Sequence, residues 1–131
     1  MKKVLLILGI VFLLNIIKGY SQNSIIIEDE RIYRRISKEQ LEKWKSEDPI
    51  QIIYLNYLYK DSYVIKNKQG SVSPNIDPGR TDIMNFDHAR KENERISFIV
   101  SPWGDYIELK SKKEVETEFE KIKKEFHSSQ E

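Results

Sequence analysis

Few side chains in this chain are of types that do chemistry, and the histidines come first. There are two, His88 and His127, and no cysteine at all. Histidine is the side chain whose ordinary pKa lies nearest neutrality, which suits it to proton transfer and metal binding. His127 directly follows Phe126 and precedes Ser128-Ser129-Gln130-Glu131. A solvated residue at a helix C-terminus, where a cation is favoured, accounts for it. His88 stands in the stretch Asp82-Ile83-Met84-Asn85-Phe86-Asp87-His88, downstream of Asp77 and Arg80. Carboxylates and an imidazole brought together from Asp77, Asp82, Asp87 and His88 could hold zinc or manganese, or run acid/base hydrolysis. The spacing argues against it. No His-x-x-x-His pair is present, and a calcium loop begun at Asn75 would place Arg80 where glycine belongs and Phe86 where the bidentate glutamate belongs. Helix capping by Asp87 with His88 at the surface explains the same residues, so no metal and no cofactor are expected.

Other catalytic signatures are missing. There is no Gly-x-Ser-x-Gly elbow, no glycine-rich phosphate loop and no His-Glu-x-x-His. Glu116 and Glu120 form a carboxylate pair, but Lys112, Lys121, Lys123 and Lys124 surround them, as on a solvated charged helix face. The basic cluster Arg31, Arg34, Arg35 and Lys38 is offset by Glu28, Asp29, Glu30 and Glu39, so no nucleic-acid role follows. Tyr54, Tyr57, Tyr59 and Tyr63 could stack sugars or bases. They interleave with Ile52, Ile53, Leu55 and Leu58, however, and read as core. Trp103 differs, because a tryptophan in a tight turn has little local surface to cover it. It either folds back over a sheet edge or stands out as an anchor for a partner. The expected catalytic set is empty. The candidate binding set is Arg80, Asp82, Asp87, His88 and Trp103, toward an unknown protein or small ligand; the alternative is a small hydrolase, metal-dependent or acid/base, built on Asp77, Asp82, Asp87 and His88.

The elements that must position these residues begin after a leader. Met1-Lys2-Lys3 is a positive start, Val4 to Leu14 an apolar run, and Gly19-Tyr20-Ser21 places small residues at a cleavage before Gln22. This is the anatomy of a secretory signal over residues 1–21. Even taken on to Ile17, the apolar stretch is about 14 residues and spans roughly 21 Å as a helix, short of a ~30 Å hydrocarbon core, so no stable membrane anchor is expected after cleavage. The leader resembles those of exported proteins in Bacteroidota, which often end in a small residue followed by Gln. Periplasmic or extracellular residence is the expectation. The leader carries Lys2, Lys3 and Lys18 and no acid, leaving 19 of the 22 basic residues against all 21 acidic ones. The remaining 110 residues still hold 27 Leu, Ile, Val and Phe, about a quarter and enough to escape default disorder. Without cysteine there is no disulfide framework, thiol nucleophile or thiolate metal site, and packing alone must hold the fold.

Residues 22–131 read as one small α+β domain, with an antiparallel sheet of about three strands covered by two to four helices. Ile25-Ile26-Ile27 suggests a strand around 24–28. Ser37-Lys38-Glu39-Gln40 is a capping box opening a helix over 38–47. Asp48-Pro49 opens a second helix through Tyr59, apolar on most sides; a buried strand is the competing reading of 50–59. Tyr63-Val64-Ile65 reads as a strand, and Asn67 to Asp82 as a long loop rich in Gly, Pro, Ser and Asn. A short helix capped by Asn85 or Asp87 is expected through Glu94. Ile96, Phe98 and Val100 alternate with Ser97, Ile99 and Ser101, as in a half-buried strand. Pro102-Trp103-Gly104-Asp105 forms a turn, and Tyr106 to Lys110 returns with Ile107 and Leu109 inward. Ser111-Lys112-Lys113-Glu114 is a further capping box. Val115, Phe119, Ile122 and Phe126 then mark the buried stripe of a helix over 112–126, with Glu118 on its outer face.

Overall fold

The computed structural model describes residues 25–72 and 81–130. The expected leader, Asp77 and Arg80 lie outside them. The described chain is α+β, with four α-helices, two single-turn 3-10 helices and one three-stranded antiparallel sheet. It divides into two compact units between Ile53 and Tyr54, inside a continuous helix.

The first unit holds α1 (Arg31–Arg35), α2 (Lys38–Glu47) and the start of α3 (Pro49–Lys60). The strand expected around 24–28 is not formed at the described positions. Residues 25–29 have no regular secondary structure, and among the described residues they join none of the strand ladders. A β-branched triplet favours an extended chain, but a strand also needs a ladder. Asp29 then starts α1, a helix missed from the sequence. Its Oδ1 accepts from the Arg31 backbone N–H and Nε, both at 2.9 Å, and its Oδ2 from Nη2 at 2.7 Å. The Arg31 hydrogen bonds hold the Asp29 carboxyl below its usual range. In α2 the Ser37 hydroxyl accepts from the Gln40 N–H at 3.2 Å, as the capping box predicts. Ile32, Leu41 and Ile52 are fully buried.

The second unit runs from Tyr54. The 50–59 segment is helix, and Leu55, Tyr57, Leu58 and Tyr59 are all buried, as an all-round apolar helix requires. Ser62 ends it, its hydroxyl donating to the Leu58 carbonyl. The sheet comprises β1 (Tyr63–Lys66), β2 (Ile96–Ile99) and β3 (Tyr106–Leu109) in the order β1-β3-β2. Tyr63 and Ile96 both face Leu109 across the ladders, and Lys66 and Ile99 both face Tyr106. Ile107 and Leu109 are fully buried, as expected for the inward side. After β1 the chain turns tightly. The Asn67 side chain accepts from the N–H groups of Gln69 and Ser71, Gly70 takes φ +87°, and Val72 bridges back to Lys66. The described start of the expected loop is therefore a closed turn.

The helix expected from 85 or 87 to 94 is replaced by 3-10 turns at Ile83–Asn85 and Asp87–Ala89. Asp82 caps the first, accepting from the Met84 N–H at 3.0 Å. Only Phe86 and Ala89 offer apolar surface there, too little to propagate a helix. Phe86 meets Phe98 with the rings tilted and their centroids 5.4 Å apart. Residues 91 and 92 instead complete another helix. The Lys91 and Glu92 carbonyls accept from the Lys112 and Lys113 N–H groups at 2.8 and 3.1 Å, and Ser111 Oγ accepts from Glu114 at 3.1 Å. Those are orphan donors of α4 (Lys112–Gln130). Phe119 of α4 meets Tyr54 edge-on at 4.8 Å and Tyr57 at 6.1 Å. Glu118 corrects the expectation of an idle outer face. It accepts from the Tyr57 hydroxyl at 2.5 Å and from Lys110 Nζ at 2.8 Å, because it stands one turn beyond Val115, the one residue of the expected stripe that is buried, Phe119, Ile122 and Phe126 being half-buried.

Candidate functional site

The β2–β3 turn is fixed by its own polar groups. Val100 N–H donates to the Asp105 carbonyl at 2.8 Å. Ser101 Oγ donates to Asp105 Oδ2 at 2.5 Å and accepts from the Asp105 and Trp103 N–H groups. Gly104 supplies φ +89°, and a Cβ there would lie 3.3 Å from Lys68 Cβ. Glycine is thus required both by conformation and by the approach of the 67–71 turn. This frame carries Trp103 at 80% exposure.

Strand alternation puts Ser97, Ile99, Tyr106 and Glu108 on the face opposite Ile107 and Leu109. That face is open. With Lys68, Pro102 and Trp103 it lines a groove of about 800 Å³, within the size range of ligand sites. Ile99, on the solvent side of β2, is 76% exposed. One end of the groove is closed by charge. Glu108 accepts from Lys66 Nζ at 3.3 Å and Arg95 Nη1 at 3.0 Å, and Arg95 also donates to Glu114 at 3.0 Å. Burial works to raise the Glu108 carboxyl, but the hydrogen bonds from Arg95 and Lys66 prevail and hold it below its ordinary range. The reciprocal bond to Glu108 raises the Arg95 guanidinium. This carboxylate is ionised and twice engaged. The arrangement offers an apolar, aromatic surface from Trp103, Tyr106 and Ile99, rimmed by Lys68, Ser97 and Glu108.

The structure separates the residues singled out from the sequence. Trp103 lines the groove; Asp82, Asp87 and His88 do not. Asp82 is 6% exposed and accepts from the Tyr59 hydroxyl at 2.8 Å in addition to its capping bond. Asp87 accepts from Arg90 Nε at 2.7 Å, and His88 is exposed. Among the described residues no group of three His, Cys, Asp or Glu side chains could hold a metal ion, and no helix is long and apolar enough to cross a membrane. The chain matches no family model, no curated protein and no solved structure.

Sequence reasoning missed Ile99, Tyr106, Glu108 and Arg90. For the first three a signal existed. Once Ile96, Phe98 and Val100 are read as inward, Ile99 is an isoleucine on the solvent side, and inward Ile107 and Leu109 put Tyr106 and Glu108 on that same side. Arg90 had none, since a guanidinium in a charged stretch reads as solvated. It is 7% exposed. Its Nη1 donates to the carbonyls of Ser62 at 2.9 Å and Lys110 at 2.8 Å, and its Nη2 to Ser62 Oγ at 2.7 Å.

Proposed function

We propose that this is an exported, non-catalytic binding protein whose contact surface is the 102–105 turn with the open face of β2 and β3, continued by the turn that begins the 67–82 loop. The observation that carries it is Trp103, held on a rigid turn and 80% exposed beside an equally bare Ile99. One third of the chain is charged, so an apolar cluster of this kind on the solvent side of a sheet favours contact with another molecule. Tryptophan is among the residue types that most often dominate interface energies. The partner's complementary group is apolar, meeting Trp103, Tyr106 and Ile99. Arg80 remains a candidate contributor from the part of the loop outside the described residues. The leader supports a periplasmic or extracellular setting. A hydrolase built on Asp77, Asp82, Asp87 and His88 gains no support, because Asp82 and Asp87 are engaged in capping and ion pairing.

The test is Trp103→Ala. At 80% exposure its removal should leave the thermal midpoint within about 2 °C of wild type, yet weaken capture of the native partner by roughly 1–3 kcal/mol. A large fall in midpoint, or unchanged capture, would return Trp103 to an ordinary surface or packing role.

A further inference from the structure

The ladder pattern defines a second feature of the same surface. In antiparallel pairs, opposite residues alternate between exchanging both backbone bonds and exchanging none. The Val100 N–H bonds the Asp105 carbonyl, so alternation makes Phe98↔Ile107 and Ile96↔Leu109 the bonded pairs. The Lys110 N–H bonds the Ser62 carbonyl, which assigns the even-numbered residues of β3 to β1 by the same rule. Ser97 and Ile99 consequently direct their N–H and C=O groups away from β3, at the outer edge of β2. Among the described residues no strand pairs with that edge.

Edges of this kind are usually guarded by lysine, proline or a bulge. β2 is short, at four residues, but from Ile96 to Ser101 the chain has none of these: Ile-Ser-Phe-Ile-Val-Ser, without a charge. The edge also complements itself. Two copies related by a twofold axis at Phe98 would pair Ser97 of each with Ile99 of the other, giving four backbone hydrogen bonds. On the open face each exposed Ile99 would then cover a small serine, and on the inner face Phe98 would meet Phe98 of the second copy at the close, non-hydrogen-bonded spacing. The antiparallel sense brings the Arg95 end of one strand to the Trp103 end of the other. Arg95, 44% exposed and ion-paired with Glu108 on the open face, would then carry that pair toward the indole of the second copy.

We infer that a second copy of the chain occupies the outer edge of this surface, joined β2 to β2 into a six-stranded sheet. The inference goes beyond the reading of the Trp103 face as a binding surface, because edge pairing leaves Lys68 and Tyr106 of the groove open. A four-residue strand joint with two tryptophans of about 150–250 Å² each falls short of the 1,200–2,000 Å² of a standard stable interface. The dimer therefore forms with concentration and is not obligate.

Sedimentation equilibrium of the full chain from about 10 µM to 1 mM tests it, with Ile99→Lys and Ser97→Pro as edge-blocking variants. Lysine at a 76% exposed site and proline at an outward N–H both spare the β2–β3 ladder, and circular dichroism confirms the fold. Wild type should approach twice the monomer mass at the upper end, while both variants stay monomeric. A wild type monomeric at 1 mM overturns the dimer; if Trp103→Ala still weakens partner capture, the binding surface itself stands. Association that survives both substitutions, as one driven by the apolar residues 4–17 would, also overturns it.

Discussion

Removing Arg90 should be the most damaging single change to the second unit outside its apolar core. The side chain is 4% exposed and spans three places in the chain: the end of α3 through Ser62, the β3–α4 junction through the Lys110 carbonyl, and the 3-10 segment through Asp87. In Arg90→Ala the consequences differ by site. The Ser62 carbonyl keeps the Lys110 N–H, and Ser62 Oγ keeps its bond to Leu58. The Lys110 carbonyl loses its guanidinium donor, a cost of about 1–3 kcal/mol for a buried acceptor. Asp87 loses its cation but is 32% exposed and regains water, so its share is well below the 3–5 kcal/mol of a fully buried orphan. The sum, with the vacated volume, is about 3 kcal/mol. In urea titration, with a slope of about 1–2 kcal/mol per molar for a domain of this size, the midpoint should fall by roughly 1.5–3 M. Arg90→Lys restores charge without the fork and should recover less than half, whereas Asp87→Asn should cost only about 1 kcal/mol. An Arg90→Ala protein within about 0.5 kcal/mol of wild type would refute the linking role drawn from these distances.

Phe119→Asp, which sets a carboxylate between Tyr54 and Tyr57, should destabilise by about 3 kcal/mol or more on thermal unfolding. Glu118→Ala should cost about 1 kcal/mol, discounted because that side chain is 41% exposed; a neutral result would mean that its bonds to Tyr57 and Lys110 do not persist in solution. Stability should decline in acid. Burial opposes it, but hydrogen bonds from Lys110 and Tyr57 hold the Glu118 carboxyl below the ordinary 4.5, as those from Arg95 and Lys66 do for Glu108. Carboxyls with lowered folded-state pKa contribute stability that is complete above their unfolded value and lost as pH falls through the folded one. Urea midpoints should thus be flat from neutrality to about pH 5 and drop below about 4.5, less steeply in Glu108→Gln; a midpoint that rises in acid would reverse the assignment. Intact mass of exported protein should show a start at Gln22, and a sole Met1 species would exclude the leader.

Much of the fold was legible because it is written in local rules. Ser37 and Ser111 mark helix starts through side-chain geometry within three residues. Ile107 and Leu109 alternate with polar neighbours, and Pro102-Gly104 can only turn. Elements that depend on distant partners were not legible. Ile25–Ile27 has strand propensity, but a strand exists only where a ladder reaches it. Residues 87–94 carry helix-compatible side chains, but their carbonyls serve α4 and their arginine serves Ser62 and Lys110. Of the described residues of the expected site only Trp103 lies where binding is proposed, because its turn is built from adjacent residues. Asp82 and Asp87 were drawn together by sequence proximity to His88, whereas Asp82 takes its partner Tyr59 from 23 residues upstream and Asp87 pairs with Arg90 three residues on.

The capping of α4 by residues 91 and 92 makes that helix unequal at its two ends. Helices ordinarily fray from both termini, since each leaves backbone groups without intrahelical partners. Here the first amides are held by carbonyls some twenty residues upstream, beside the Arg90 anchor, while His127 to Gln130 are exposed. Opening at the N-terminal turn cannot proceed without detaching the 91–92 segment, so local fluctuation there is coupled to loss of the sheet's neighbouring connection. Unwinding of α4 accordingly runs in one direction, from the C-terminal turn inward. To pass the middle of the helix it would have to break the contacts of Phe119 with Tyr54 and Tyr57.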